Sequence, residues 1–198
     1  MSTAYETEGR TAQKQRTRAA LVAAAQALVA QGLAPTVEDA AEAAMISRTT
    51  AYRYFPNQRA LLGAAHPETA TESMLPSKAP TDPAERVDLV VKRFTRMIVE
   101  TEAQQRTMLR LSLEDTPVPD LPLRQGRAIG WLTEALEPAR AALGDAALKR
   151  LVLAIRSTTG IEALVWLTDI GGLSTAEAVK LMRWSAAAMV RAALEDAG

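Results

Sequence analysis

Side chains suited to contacting another molecule are concentrated between Ser47 and Arg59. Arginine, threonine and tyrosine recur in this segment, SRTTAYRYFPNQR, and no carboxylate occurs from Ala43 through Pro67. An arginine fork can bridge O6 and N7 of guanine, a threonine can meet a thymine methyl, and a tyrosine hydroxyl can donate to a phosphate oxygen. The chemistry that these residue types predict is contact with duplex DNA.

Helical spacing places these side chains on one face. With Ser47 as the N-cap, Ala51 and Phe55 lie four residues apart and point inward, which leaves the polar residues outside. A second capped helix is predicted just before, beginning after Thr36. Its apolar stripe has the spacing i, i+3, i+4 and i+7 and consists of Val37, Ala40, Ala41 and Ala44. Two short helices joined by a tight turn predict a helix-turn-helix unit.

An ordinary helical hairpin with a solvated polar face is the alternative interpretation. The chain is only 4% aromatic, yet two tyrosines and a phenylalanine fall within four residues at 52–55. Tyrosines on an exposed face need an external partner more than lysines would, which favours DNA binding.

The residues ISRTTAYRYF followed by PNQRALL resemble the helix-turn-helix of the TetR (tetracycline repressor) family of transcription regulators. The resemblance implies phosphate contacts from Thr36, Tyr52 and Tyr54. It implies base contacts from Arg48, Thr49 and Arg53. The matching positions are Ile46, Ser47, Thr50, Tyr52, Tyr54 and Phe55, and the full predicted DNA-contacting set is Arg16, Thr36, Ser47, Arg48, Thr49, Thr50, Tyr52, Arg53, Tyr54 and Arg59.

Three positions depart from the family pattern. Met45 stands where the family usually has a glycine at the turn, and a side chain held at positive φ costs about 1 to 2 kcal/mol. Ala51 replaces the usual leucine beneath the recognition helix. Gln58 and Arg59 stand where lysine and glutamate are common, so Arg59 is the candidate for the phosphate contact that the lysine would make.

Basic residues also precede the first helix, without an intervening acid: Arg10, Lys14, Arg16 and Arg18. We interpret them as a flexible phosphate-binding arm, with a solvated helix end as the alternative. Residues 1–12 are predicted to be a disordered arm, residues 13–66 a helix-turn-helix DNA-binding domain, and residues 67–198 a helical regulatory and dimerisation domain.

Helical periodicity continues through the rest of the chain, without strand signals, and predicts an all-α fold of about nine helices. A long helix is predicted from Asp145 to about Thr168 and a last one from Thr175 to Ala193. Both are apolar on more than one face, which favours a dimer interface over a helix buried in its own core. The predicted interface residues are Val152, Ile155, Thr159, Gly160, Ala163, Val179, Met182, Ala186, Met189 and Val190.

A ligand pocket is expected only from the resemblance, because aromatic and methionine side chains at helical spacing are more often simple core. In such regulators a small molecule in the C-terminal bundle and the operator DNA exclude one another. Arg156 and Glu162 could orient a ligand, although an intersubunit ion pair is the preferred interpretation. The candidate pocket residues are Phe94, Met97, Met108, Leu111, Trp131 and Trp166.

Composition excludes several other classes of protein. The 198-residue chain has no cysteine and a single histidine, so neither a disulfide framework nor a catalytic or metal site is predicted. No stretch has the roughly 20 apolar residues of a membrane span. Together with the family resemblance, these observations lead us to expect a cytoplasmic homodimer without cofactor that, as the resemblance implies, represses transcription from a near-palindromic operator and responds to a small molecule. The alternative is a small helical enzyme or interaction module.

Overall fold

A computed structural model describes residues 2–66, 71–113 and 126–196. Throughout these ranges the regular structure is helical and contains no strand, which confirms the predicted all-α fold. The chain divides into two compact units. The N-terminal unit contains residues 1–69 and 107–124, and the C-terminal unit contains residues 70–106 and 125–198.

The N-terminal unit is built from α1 (Ser2–Ala30), α2 (Val37–Ala43), α3 (Arg48–Tyr54), α4 (Gln58–Ala65) and the second part of α6 (Glu102–Leu113). Helix α1 packs against α2 and α4, and α2 packs against α3. Small side chains allow these helices to approach closely. The core of the unit is formed by Leu21, Ala25, Val37, Ala40, Ala41, Ala51, Phe55, Leu61 and Ala65.

The predicted disordered arm is not what the structure contains. Residues 2–12 are the first turns of α1, so Arg16 and Arg18 lie within a helix of 29 residues rather than at its start. Alanine, glutamate and arginine, which favour helix, alternate in this stretch with weaker helix formers, and proline is absent. Periodicity could not identify it because the stretch has no apolar stripe.

The C-terminal unit contains α5 (Pro83–Glu100), the first turn of α6, α7 (Arg127–Leu136), a 3-10 turn (Glu137–Ala139) and α8 (Arg140–Thr158). The short α9 (Ile161–Val165), a π-helical turn (Trp166–Ile170) and α10 (Thr175–Glu195) follow. Helix α5 packs against α7 and α10, and α8 packs against the same two helices. Asp82 is the N-cap of α5, because its side chain accepts the Glu85 N–H, and Pro83 occupies the first helical position.

The long helix predicted from Asp145 to Thr168 is interrupted. Gly144 takes φ 73° within α8, and the helix ends at Thr158. The buried Thr159 hydroxyl donates to the Ile155 carbonyl oxygen at 2.8 Å, and the extended Gly160 then precedes α9. Threonine bonding back to its own helix and an extended glycine are local features that hydrophobic periodicity does not register.

In the described ranges, no single helix combines the length and the hydropathy needed to cross a bilayer, although one bent pair (127–158 with 161–170) would do so by length and composition alone. The same ranges contain no group of three or more histidine, aspartate or glutamate side chains arranged to hold a metal ion.

Candidate nucleic-acid interface

Helix α2 begins with a complete capping box. The Thr36 hydroxyl accepts the Asp39 N–H at 3.2 Å, and the Asp39 carboxylate accepts the Thr36 N–H at 2.8 Å. The Thr36 hydroxyl also donates to that carboxylate at 2.8 Å. These bonds hold the pKa of Asp39 below its ordinary value. Thr36 is exposed at this helix start, where the predicted phosphate contact would be made.

The turn between α2 and α3 is closed by two backbone hydrogen bonds. The Ile46 N–H donates to the Ala41 carbonyl at 2.8 Å, and the Met45 N–H donates to the Glu42 carbonyl at 3.0 Å. This is the pattern of a Schellman motif, whose C′ residue is left-handed. Met45 occupies that position with φ 55°, and its side chain is 95% exposed. The turn therefore keeps its left-handed geometry without the glycine.

Helix α3 turns two side chains inward and presents the rest. Ala51 is buried within α3, and Phe55 is buried at its C-cap. The opposite face presents Arg48, Thr49 and Arg53 to solvent. Tyr52 lies on that face with 41% of its surface exposed. The four residues with the strongest base-reading and phosphate-binding chemistry thus share one accessible face, as the spacing predicts.

Other members of the predicted set are less available. The Ser47 hydroxyl accepts the Thr50 N–H at 3.3 Å and donates to the Thr50 hydroxyl at 2.9 Å, so both side chains stabilise the start of α3. Tyr54 is half-buried and packs against the core of the N-terminal unit. The Tyr54 ring therefore contributes to the core, although part of its surface remains accessible.

An acidic side chain from α2 contacts the exposed face of α3. The Tyr52 hydroxyl donates to Oε1 of Glu38 at 2.6 Å, and Nη2 of Arg48 lies 3.8 Å from the same oxygen. The bond from Tyr52, more than the charge of Arg48, lowers the pKa of Glu38, and the same bond raises the pKa of Tyr52. The sequence analysis did not predict this contact.

At the start of α4, Gln58 has a structural role that the sequence did not reveal. Its amide Nε2 donates to the carbonyl oxygens of Ala34 and Pro35 at 3.0 and 3.1 Å. These bonds connect α4 to the segment before α2, and the neighbouring Arg59 remains exposed at the surface. The side chain that replaces the family lysine therefore fixes the chain rather than reaching outward.

Basic residues of α1 complete the set. The Arg18 guanidinium lies 5.3 Å from the centroid of the Phe55 ring, within the range of a cation–π contact. Arg16 is exposed, and its Nη2 donates to Gln13 at 2.8 Å. Arg18, which belongs to the basic run interpreted as a phosphate-binding arm, therefore lies beside the C-terminal end of α3.

A capped helix-turn-helix whose second helix exposes arginine, threonine and tyrosine defines the N-terminal unit as a helix-turn-helix DNA-binding domain. Residues 20–65 match the family model of bacterial regulatory proteins, tetR family. The match covers about a quarter of the chain, shows a DNA-binding domain of the tetR family at residues 20–65, and supports the DNA-binding transcription regulator that the resemblance implied. Comparison with curated proteins found no match.

The described members of the predicted pocket set lie in different surroundings. Phe94 and Trp131 are buried in edge-to-face contact with centroids 5.8 Å apart. Met108 belongs to the N-terminal unit, where it packs with Val29 and Leu62. Trp166 is 57% exposed. Met97 is half-buried on α5, and the side chain of Leu111 lies outside the described residues. The aromatic and sulfur-containing side chains of this set therefore lie in several different environments.

Most of the predicted dimer-interface residues lie inside the protomer. They are buried within their own protomer and expose little surface for a second subunit, although Met182 lies at the base of the groove that Trp166 and Leu181 line. These interior residues are Val152, Ile155, Thr159, Gly160, Met182, Ala186 and Val190. Ala163, Val179 and Met189 are half-buried.

Exposed apolar residues on the same helices were missed. The large ones in this part of the chain are Leu153 on α8, Trp166 and Ile170 on the π-helical turn, and Leu181 and Trp184 on α10. Trp166 and Leu181 line one groove of about 370 Å³. A helical wheel can show that a helix is apolar on two faces, but it cannot show which face its own protomer covers.

Arg156 and Glu162 form an ion pair within one protomer, at 3.2 Å, rather than the intersubunit pair that was expected. The Arg156 guanidinium also lies 5.7 Å from the centroid of the Phe94 ring. Gly160 lies between the two charged residues in sequence. A Cβ at this position would overlap Nη1 of Arg156 and Oε2 of Glu162, so the glycine leaves space for the ion pair.

Proposed function

We propose that the protein is a homodimeric repressor that binds a near-palindromic operator and is released when a small molecule binds its C-terminal unit. The observation that carries this proposal is the exposed face of α3, where Arg48, Thr49, Tyr52 and Arg53 lie on a domain of the tetR family. Arginines would read guanine edges, and Tyr52 would bind a phosphate oxygen. Arg59 would make a further phosphate contact, and Thr36 would do so when its hydroxyl turns from the Asp39 carboxylate to the phosphate.

Dimerisation is supported by the exposed apolar residues of the C-terminal unit. Trp166 and Leu181 border one groove, Trp184 follows Leu181 by three residues on α10, and Ile170 follows Trp166 by four. These spacings keep the side chains on neighbouring parts of the surface. Exposed tryptophans beside an apolar groove are typical of interface cores. Two helix-turn-helix units about 34 to 36 Å apart would then address two half-sites.

Release by a small molecule is supported by the match to the tetR family. Such a molecule would act by binding one of two conformations of the dimer more tightly than the other. A panel of metabolites can be screened for compounds that shift the melting temperature of the protein. Each such compound is then tested for its effect on operator affinity. A compound that raises the melting temperature and lowers operator affinity fulfils the proposal.

A binding experiment tests the DNA-binding part of the proposal. Purified full-length protein is mixed with a pool of random duplexes, and bound fragments are sequenced over several rounds. We expect a near-palindromic consensus and an affinity whose logarithm falls linearly with the logarithm of salt concentration. No retained duplex at low salt would exclude the proposed function.

A further inference from the structure

Glu38 is an unusual group to find beside a DNA-reading face. Its carboxylate belongs to the first turn of α2, yet Oε1 accepts the Tyr52 hydroxyl at 2.6 Å and lies 3.8 Å from Nη2 of Arg48. Tyrosine has a single hydroxyl proton, so a Tyr52 that donates to Glu38 cannot donate to a phosphate. A negative charge at this place also repels the DNA backbone.

The other acids of α2 are arranged differently. Asp39 is engaged by Thr36 in the capping box. Glu42 is exposed near the end of the helix and lines a groove with Leu28 and Leu33, away from α3. Glu38, by contrast, contacts Tyr52 and Arg48 on the exposed face of α3.

We propose that Glu38 is a specificity-determining residue, which holds Tyr52 and orients Arg48 so that only DNA offering the correct base edge binds tightly. The inference rests on the proposed DNA binding. It assigns to an acidic residue of α2, the first helix of the helix-turn-helix, a role in discrimination between DNA sequences rather than in affinity.

Two effects lead to this role. On arbitrary DNA, the phosphates must compete with Glu38 for Tyr52 and tolerate its charge, so nonspecific affinity is reduced. On the correct site, Arg48 gains two acceptors from a guanine while Glu38 keeps its guanidinium oriented, which limits the side-chain entropy lost on binding. The first effect lowers the affinity for all DNA, and the second raises the affinity for the correct site alone, so the second effect increases the ratio of specific to nonspecific affinity.

The test compares Glu38→Gln with the wild-type protein on two duplexes, the sequence recovered by selection and a scrambled version of equal length. The amide keeps the size of the side chain but removes its charge. We expect nonspecific affinity to rise and the specificity ratio to fall about fivefold, which is the scale of an exposed charged contact. Preference for the base pair that Arg48 contacts should weaken most.

Glu42→Gln is the matched control, because it removes one charge from the same helix at a position that faces the groove lined by Leu28 and Leu33. A double-mutant cycle with Arg48→Ala reports whether Glu38 acts through that arginine. In such a cycle, Glu38→Gln should lose its effect on base preference once Arg48 is absent. Circular dichroism of each variant verifies that the helices are intact.

The outcomes separate the inference from the function it rests on. If the wild-type protein binds neither duplex, the proposed function fails. If the wild-type protein discriminates between the duplexes and Glu38→Gln leaves the ratio unchanged, or changes it only as Glu42→Gln does, then Glu38 is not a specificity determinant.

Discussion

The Ile46 N–H donates to the Ala41 carbonyl oxygen at 2.8 Å, across a turn in which Met45 adopts φ 55°. Met45 is the one residue other than glycine with positive φ in the described part of the chain. The turn sets the direction in which α3 leaves α2. The backbone hydrogen bonds of the motif therefore maintain a conformation that its central side chain disfavours.

Met45→Gly should stabilise the protein by about 1 kcal/mol, because glycine removes the positive-φ strain but loses more backbone entropy on folding. Few contacts are lost, since the Met45 side chain is almost fully exposed. Urea unfolding followed by helical circular dichroism measures the change. Met45→Ala is the control, since it removes the side chain and keeps the strain. Equal stability of the glycine and alanine variants would contradict the explanation.

Arg53→Ala should reduce discrimination at one base pair by about 1 to 3 kcal/mol, as expected when a bidentate arginine reader is lost. Tyr52→Phe serves as the comparison, because loss of a phosphate contact should weaken binding to all sequences alike. Competition binding with every single-base variant of the selected operator distinguishes the two patterns. An unchanged preference at every position for Arg53→Ala would remove this residue from the set of base readers.

The helix-turn-helix could be predicted because its signals are local. Caps at Thr36 and Ser47, a stripe at i, i+3, i+4 and i+7, and an inward pair at Ala51 and Phe55 each depend on residues within two turns. All of these features are present in the structure. The first turns of α1 were missed because a helix without an apolar stripe leaves no periodic signal.

Contacts between helices were less predictable. The bond from Tyr52 to Glu38 joins residues 14 positions apart on two helices, and its existence depends on their crossing geometry. The residues expected at a dimer interface show the same difficulty. Val152 on α8 and Met182 on α10 are apolar because they lie in the core of the protomer, whereas Trp184, also on α10, is exposed. Sequence indicates which residues are apolar, and packing decides which of them remain uncovered.

Gly160→Ala should destabilise the C-terminal unit by about 1 kcal/mol, because the new methyl group would displace Arg156 from Glu162 and from the Phe94 ring. Gly130→Ala in α7 is the control. A Cβ at Gly130 meets no neighbouring atom, so this variant should gain about 0.5 to 1 kcal/mol. Tryptophan fluorescence reports on this unit, which holds all three tryptophans. Equal effects of the two substitutions would contradict the role given to Gly160.

Asp169 should make the C-terminal unit sensitive to acid. Hydrogen bonds from Arg106, at 2.7 and 2.9 Å, and from Thr168 lower its pKa from 3.8 to about 2. Because the folded-state pKa is the lower one, the stabilisation is complete above pH 4 and is lost as the pH falls from about 4 to 2. Melting temperatures should show this loss in the wild-type protein.

Asp169→Asn and Arg106→Gln both remove the ion pair and are the variants that test its acid sensitivity. Each should melt below the wild-type protein at neutral pH, and the difference should shrink as the pH approaches about 2. A constant difference between pH 6 and 2 would show that the Asp169 carboxylate does not contribute in this way.

Trp184→Glu should convert the proposed dimer into a monomer. Trp184 is 64% exposed on α10 beside Leu181, which lines the apolar groove. Burying such a tryptophan in an interface commonly contributes 2 kcal/mol or more, so a buried charge in its place should weaken dimerisation at least about 30-fold. Sedimentation velocity over a range of protein concentrations measures the change. Ile129→Glu, at a partly exposed position on α7 of the same unit, is the control and should leave the dimer intact.

Because a single helix-turn-helix contacts only one half-site, the monomeric variant should also lose most of its affinity for the full operator. Its affinity for an isolated half-site should stay unchanged. A Trp184→Glu protein that remains dimeric would place the interface elsewhere on the molecule.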